Sequence, residues 1–576
     1  MINKLFSSQI TFDILSVLFD NRTELLSTSE IIKLTDKNQA NVQRELDKLI
    51  KLNIVFKKQK NRQNFYSLNN DYRFFKSLQG IFLERDEQKQ KYFLLNEESG
   101  VCFLSLDYML IAYVSDYGVR KGIIKKVSDA IAVYRGNYGQ FYFEKDIIEQ
   151  GAEDSLKKLL KNPTFVFKII YPESIAVGEE AKKIFQELYQ NNFQISKNKA
   201  LRLFDKFLEI ISIQIGLNTI AIFDLKDQLF SNYLKKYLVN KIKPTKLNLG
   251  YVMERLLAPE KLTYTQILRL ELLELALKSQ NSPCLQELKD IYSRWRWLNY
   301  GYVGPGFELG YFQQIFKELR AKNRTELEKE KNSLLNNEKE VQASKQEIYR
   351  QLKIDLRHQN FINALGLLSY LKIHRKDTAF LIFYLMYQIF AKLAPDYKKE
   401  DLFNLTREES KDLLRGRLTV SRQELQERSN YCVYPYQDKK FLYGAAADKY
   451  LQKNIEPEKA IQDGQNLKLL EGTAACLGKT GNWIYGEVKI INSTADMNKM
   501  REGDVLISVA TTPDILAAMK KAAAIVTDHG GITCHAAIVS RELNIPCLIA
   551  TKYATKIFKD GDKVIVCPRH NYIKFQ

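Results

Sequence analysis

Apolar residues recur along the chain with different spacings, and the spacings divide it. Over residues 39–53 (QANVQRELDKLIKLN), Val42, Leu46, Leu49 and Ile50 follow i, i+4, i+7, i+8, one face of an amphipathic helix. A helical pattern also runs through Phe12–Phe19, and Ser27-Thr28-Ser29-Glu30 supplies a capped start for the short helix SEIIKL. IVFKKQK and QNFYSL read as two strands around a basic turn, Lys57 to Arg62. Ile81–Lys91 is expected to be helical, whereas CFLSLDYMLIAYV is strongly apolar with no clean period, which leaves strand and helix both open. Residues 140 to 440 are mostly helical in pattern, as in EDSLKKLLKN, EEAKKIFQELYQN, ALRLFDKFLEIISIQI and YTQILRLELLELALKS. Residues 317–352 are highly charged with sparse apolar positions, the pattern of a solvated helix or helical hairpin. The run Ala379–Ala391 contains Gln388, precedes Lys392 and is too short for a bilayer span of ~20 residues, so a buried helix is expected. Beyond a polar linker at 455–470 come short strands (GEVKIIN, DVLISVA, AAAIVTD, PCLIA, DKVIVCP) and two helices (DILAAMKKA, HAAIVSREL), a small α/β domain.

Composition narrows the classes. With 576 residues, 45% hydrophobic and 27% charged, the chain is a multidomain globular protein and not a disordered or collagen-like one. The seven cysteines are scattered singly with no CxxC pair, which argues against a zinc ribbon or a disulfide framework. Thiols in a reducing, cytoplasmic setting fit best, and no metal ligands are assigned. The N-terminal MINKLFSSQITFDIL lacks the features of a secretory signal, and no membrane partner is expected. A net charge of +19 is compatible with a polyanionic partner. It is equally compatible with an AT-biased coding sequence, since Asn, Ile, Tyr and Phe are abundant too.

The segment Thr527–Pro546 (TDHGGITCHAAIVSRELNIP) concentrates the chemistry. A strand ends at Thr527–Asp528, and Gly530-Gly531 makes a turn whose amides are open to a phosphate. Thr533 is positioned to cap the following helix, and His535 sits in its first turn beside the small Ala536 and Ala537. A helix N-terminus favours anions, and an imidazole is a competent nucleophile near neutral pH. Arg541 on the same helix is a candidate source of positive charge, more than a turn away. His529 has two readings, a site residue or an exposed loop histidine; His358, His374 and His570 are read as structural.

GG-I-T-C-H-A-A-I-V-S-R resembles the phosphohistidine signature of the phosphoenolpyruvate-utilising enzymes, which include phosphoenolpyruvate synthase, pyruvate phosphate dikinase and the rifampicin phosphotransferases. Glu471–Ile491 and Gly503–Asp528 resemble the start of that family's mobile domain and its strand–helix–strand, so the likeness covers about 470–570. The resemblance implies that His535 carries the phosphoryl group, that Thr533 hydrogen-bonds beside it, that Gly530 and Gly531 form the turn, and that the domain swivels between two sites. A looser likeness, to the helical segment preceding the mobile domain in stand-alone members, covers several stretches from FEKDIIEQ to RSNYCVYPYQDKKFLYG. Within it, Trp295, Trp297, Tyr300 and Tyr302 with Gly301, Gly304 and Gly306 form a docking surface or, alternatively, a buried aromatic anchor. The glycine-rich phosphate loop of an ATP-grasp domain and the C-terminal barrel of the large members are not found in the sequence. A phosphotransferase component is therefore expected in place of a complete synthase. Its expected donor is ATP or phosphoenolpyruvate, with Mg²⁺ at a donor site whose ligands are not identified and a separate ATP-grasp subunit as the candidate partner.

The order helix, helix, helix, β-ribbon is that of a winged helix, and STSEIIKLTDKNQANVQRELDKLIKLNIVFKKQKNRQNFYSLN resembles the winged-helix domains of small regulators. If it binds DNA, Gln39, Asn41, Gln43 and Arg44 lie near bases, and Lys48, Lys57, Lys58, Lys60 and Arg62 meet phosphates. The expected fold is multidomain α+β. It comprises a winged helix-turn-helix domain (1–75), a connecting region of open fold (76–139), a large mainly α-helical middle (140–455) and a swivelling β/β/α phosphohistidine domain (465–576). The alternative function is a DNA-binding transcriptional regulator whose phosphohistidine domain senses metabolic state.

Overall fold

A computed structural model describes residues 9–20, 25–35, 37–60, 63–69, 92–123, 126–127, 129–136, 138–222, 229–243, 245, 247, 249–279, 284–455, 469–478, 483–492, 494–511, 515–530 and 534–576. The chain forms two compact units, Met1–Lys91 with Leu451–Glu456, and Tyr92–Tyr450 with Pro457–Gln576.

In the first unit, α1 (Gln9–Asp20), α2 (Thr28–Thr35) and α3 (Gln39–Lys51) pack on a three-stranded sheet of β1 (Leu26–Ser27), β2 (Val55–Lys60) and β3 (Gln63–Leu68), ordered β1-β3-β2. The periodic apolar positions make the core: Val42, Leu46 and Leu49 of α3 meet Ile14, Leu18, Ile31 and Tyr66. Both starts are capped by side chains. The Glu30 carboxylate accepts from the Ser27 amide at 2.8 Å, and Asn38 Oδ1 accepts from the Asn41 amide at 2.9 Å. The helix expected at Ile81–Lys91 lies outside the described residues.

The second unit opens on strands. β4 (Tyr92–Ser99), β5 (Ala130–Arg135), β6 (Tyr138–Glu144) and β7 (Cys432–Pro435) form an antiparallel sheet ordered β4-β6-β5-β7, so the segment 432–435 returns to a sheet begun some three hundred residues earlier. The apolar stretch of undecided type is a helix, α4 (Phe103–Tyr113). Ten of its eleven residues are buried, and burial on every side erases the period that marks a half-exposed helix.

The helical body follows: α5 (Lys145–Lys161), α6 (Tyr171–Gln190), α7 (Lys197–Ile222), α8 (Leu229–Ile242), α9 (Leu249–Leu257), α10 (Tyr264–Lys278), α11 (Leu285–Trp295), α12 (Leu309–Arg320), α13 (Arg324–Gln351), α14 (Leu356–Leu393), α15 (Arg407–Arg415) and α16 (Arg422–Asn430). The charged 317–352 stretch falls mainly on α13, solvated along most of its length. The apolar run Ala379–Ala391 is part of α14, a 38-residue helix buried along much of its length. Among the described residues no helix is long and apolar enough to cross a membrane. The aromatic loop after α11 is buried. Trp297 is 1% exposed, and Tyr302 packs edge-on to Phe380 and Phe383 of α14, which supports the anchor reading over the docking surface.

The C-terminal segment is an eight-stranded mixed sheet of β8 (Leu470–Glu471), β9 (Thr473–Cys476), β10 (Ile484–Ile490), β11 (Val505–Ser508), β12 (Ala524–Thr527), β13 (Cys547–Ile549), β14 (Lys563–Cys567) and β15 (Tyr572–Phe575). Its order is β8-β15-β14-β10-β11-β12-β13-β9. β8 and β9, separated only by Gly472, occupy opposite edges, so the two edges meet at that glycine. A side chain there would begin 2.7 Å from Leu548 and 2.9 Å from the Ile549 carbonyl oxygen, which is why the crossing takes glycine. Strand alternation sorts the core into two layers. Val505, Ile507, Ala524 and Val526 point to an inner layer, while Leu506 and Ile525 point to an outer one. Two helices cover that outer layer, α17 (Leu516–Lys521) and α18 (His535–Leu543). β9 packs against α9 of the helical body.

Candidate functional site

The carboxyl ends of the parallel strands β11 and β12 stop side by side, and the loops leaving them are tied together. The His529 amide donates to the Val509 carbonyl at 2.9 Å, and the Asp528 amide to that of Ser508 at 3.0 Å. Asn492 Oδ1 accepts from the Val509 amide at 2.9 Å and from Ser508 Oγ at 3.1 Å. Asp528 is 2% exposed, and its carboxylate accepts from Thr551 Oγ1 at 3.1 Å and from the Thr555 amide at 3.2 Å. Burial raises its pKa, against the pull of the Thr555 hydrogen bonds. These contacts make Asp528 a fastener of the loop.

Gly530 follows with φ +127°, a backbone region that side-chain-bearing residues rarely enter. A Cβ there would also sit 2.7 Å from Cys534 Sγ. Gly530→Ala is expected to cost about 1–3 kcal/mol through strain at this position. A denaturant titration of the full chain checks it, and an unchanged midpoint would show that the loop relaxes freely.

Cys534 takes the N-cap position of α18, so His535 is the first helical residue. The proposed cap Thr533, and Gly531 with it, lie outside the described residues. The His535 ring is half-buried, and Nδ1 hydrogen-bonds Thr511 Oγ1 at 2.9 Å. Loss of hydration pushes its pKa down to about 3, and the charge of Lys376 on α14 adds to the effect. The imidazole is therefore neutral throughout the physiological range. The fixed hydrogen bond at Nδ1 directs Nε2 away from Thr511.

Thr511 was not singled out by its sequence. It stands just beyond β11, 24 residues before His535, and only the pairing of β11 with β12 brings the two together. The readable signal is positional: a hydroxyl just past the carboxyl end of a strand that neighbours the histidine's strand. Arg541 Nε donates to the Ala475 carbonyl of β9 at 3.0 Å, which fastens α18 to the sheet edge; burial lowers its pKa, and its charge also bears on Cys534 at the N-cap.

Two other histidines have structural partners, and His570 is exposed. His374 Nε2 lies 3.1 Å from Tyr264 Oη, and His358 lies between Asp355 (2.7 Å) and Tyr233 (3.0 Å). In the first unit, Gln39, Arg44, Lys48, Lys57, Lys58 and Lys60 are exposed and Asn41 and Gln43 half-exposed; Arg62 lies outside the described residues. Arg44 and Lys48 both pair with Glu45, at 3.6 and 2.7 Å, and Gln43 donates to Asp47 at 3.0 Å. Among the described residues no three His, Cys, Asp or Glu side chains converge as metal ligands, and no step below is routed through Mg²⁺.

Comparison with known proteins places the same segment. Residues 500–570 match the family described as PEP-utilising enzyme, mobile domain. A probable phosphoenolpyruvate synthase of Archaeoglobus fulgidus is 48% identical over 115 residues, covering 20% of this chain and 15% of that protein. One from Pyrococcus abyssi is 56% identical over 90 residues, 16% of this chain and 11% of the other. The phosphoenolpyruvate synthase of Escherichia coli is 34% identical over 171 residues, 29% of this chain and 21% of the other. The chain thus spans at most about a fifth of the length of these relatives. The C-terminal segment carries a mobile domain of the phosphoenolpyruvate-utilising type, a domain class tied to phosphoryl transfer through histidine.

Proposed function

We propose that this protein is a phosphotransferase component that carries a phosphoryl group on Nε2 of His535. The observation that carries the reading is a neutral, half-buried imidazole at a helix N-terminus with Nδ1 committed to Thr511. With Nδ1–H donated to the threonine, Nε2 holds the lone pair and points it at an incoming phosphorus. In the charging step the Nε2–P bond forms as the donor's P–O bond breaks, and the electron pair leaves with the donor oxygen. Discharge reverses this, with a nucleophilic oxygen of the acceptor taking the phosphorus and the electron pair returning to Nε2. The first-turn amides of α18 and the Gly530 loop favour the negative charge. The donor is ATP or phosphoenolpyruvate, bound with Mg²⁺ at a site on a partner such as a separate ATP-grasp subunit. Gly531 and Thr533 complete the loop in this reading.

Intact-mass spectrometry at alkaline pH after incubation with ATP or phosphoenolpyruvate and a lysate fraction tests it. A gain of one acid-labile phosphate is expected, and no gain from either donor counts against the carrier role. Thr511→Val should slow labelling roughly 10-fold or more, the range seen when an orienting hydrogen bond to an imidazole is lost. Equal rates for the variant and the parent would remove Thr511 from the mechanism.

A second reading, a winged-helix regulator, is favoured by the exposed lysines 57, 58 and 60 on one strand. It predicts a gel shift of the intact protein on its own upstream DNA that weakens steeply with salt.

A further inference from the structure

The helical body holds a cavity that the chemistry of His535 does not use. Its volume is about 370 Å³, and it lies between α13, α14, the start of α6 and the connector from α9 to α10. The floor is charged. Lys345 of α13 is 2% exposed, and its ammonium pairs with Glu260 Oε1 of the connector at 2.8 Å. A Cβ at Gly366 would begin 3.1 Å from Lys345 Nζ, so the ammonium rests directly on the backbone of α14. Gln342 Nε2 donates to the other Glu260 oxygen at 3.1 Å. At the more exposed rim, Lys261 pairs with Glu338 at 2.8 Å. Phe167, Tyr171, Leu367 and Tyr370 supply an apolar wall. Phe167 enters from a π-type turn, Val166–Ile170, that runs straight into α6, and such wider turns occur often at functional sites.

Hydrogen bonding and charge decide what this cavity prefers. An ammonium has three N–H groups. Among the described residues Lys345 has one acceptor, Glu260. Two donors of a shielded cation are left for a ligand, and an anion reaching them gains charge-assisted bonds in a setting poor in water. Burial lowers the Lys345 pKa, against the pull of Glu260. A plain anion is still disfavoured. The charges of Lys261, Lys345, Glu260 and Glu338 cancel, and a carboxylate placed at Lys345 also faces Glu260. A ligand that brings its own cation for Glu260 escapes that repulsion. The aromatic wall then rewards an apolar remainder. The volume is near the lower end of ligand pockets, about 300 Å³, which suits a molecule of amino-acid size.

We propose that this cavity binds a free α-amino acid with an apolar or aromatic side chain. The ligand carboxylate takes the remaining N–H groups of Lys345, its ammonium meets Glu260, and its side chain lies against Phe167, Tyr171, Leu367 and Tyr370. Each buried charge then keeps a counter-charge, so the zwitterion enters without stranding either member of the ion pair. The lining comes from residues 167–370, and the site holds whether or not His535 carries phosphate.

Equilibrium dialysis of the full-length protein tests this with L-phenylalanine and L-leucine as probes. The paired controls are 3-phenylpropionate, which has the carboxylate alone, and phenethylamine, which has the ammonium alone. Saturable one-to-one binding of at least one of the two amino acids is expected, and binding should weaken roughly tenfold or more when either charged group is missing. Lys345→Met should lose binding. That variant also strands Glu260 without its counter-charge and can destabilise the fold, so Leu367→Trp is measured beside it. The tryptophan fills the cavity from its apolar wall, leaves the ion pair in place, and should lose binding too. Binding that survives Leu367→Trp would put the ligand elsewhere and overturn the site. Equal binding of 3-phenylpropionate and L-phenylalanine would overturn the assigned ligand class. Absence of binding by both amino acids at millimolar concentration would overturn the proposal outright.

Discussion

His535→Ala is expected to abolish acid-labile phosphate on the protein. The chain has five histidines, so the prediction is sharp. His374 is buried against Tyr264, and His358 is held at both nitrogens by Asp355 and Tyr233. Among the described residues His374 Nδ1 has no hydrogen-bond partner but the residue is only 2% exposed, and His358 has both nitrogens engaged, so neither gives a donor the access that the half-buried His535 does. Labelling of the parent should also be nearly flat from pH 5 to pH 8, because an imidazole with a pKa of about 3 stays neutral across that span. The same depression has a consequence for stability. The ring binds a proton more readily in the unfolded chain, whose histidine pKa is about 6.5, than in the folded one. Its contribution is thus fully present above pH 6.5 and is lost as the pH falls toward 3. His535→Ala should therefore lose phosphate uptake and, in denaturant titrations at pH 7 and pH 4.5, show a smaller acid-induced loss of stability than the parent. A variant that is labelled as well as the parent would end the carrier reading.

Arg428→Ala should be the most damaging single change in the helical body. The Arg428 side chain is fully buried. Its guanidinium donates to Glu409 at 2.7 and 3.1 Å, to Glu424 at 3.2 Å and to the Asn404 carbonyl at 2.7 Å, and it lies 3.6 Å from the centre of the Phe441 ring. It joins α15 to α16 just before β7 enters the sheet. Glu409 also caps α15, accepting from the Thr406 amide at 2.7 Å. Truncating the arginine leaves that carboxylate shielded without its counter-charge, a defect that costs about 3–5 kcal/mol. The pair itself is worth less than this, because both charges were desolvated to make it. Arg428→Met combined with Glu409→Gln should accordingly recover part of the loss. Urea unfolding of the parent, the single variant and the double variant measures this, and a single-variant loss below 1 kcal/mol would show that water reaches the site.

What the residue pattern reveals depends on the range of the interactions involved. The helix at 39–51 is half-exposed, so its period is visible, and the strand, glycine turn and helix leading to His535 are contiguous in sequence. The strand at 432–435 carries no mark of its distant partner β5, and nothing in ATTPD identifies Thr511 as the group on Nδ1. The aromatic cluster at 295–302 was legible as chemistry and ambiguous as location, because tryptophan and tyrosine serve cores and interfaces alike.

Gly472 has a practical bearing on how this protein can be cut apart. The stretch recognised by family comparison, 500–570, begins after β8, β9 and β10. A fragment cloned to those bounds would lack the staves that seal both margins of the sheet and the strand at its middle. Its exposed backbone would invite neighbouring copies to add on. An excised carrier that stays monomeric has to keep the residues on both sides of that glycine hinge-pin.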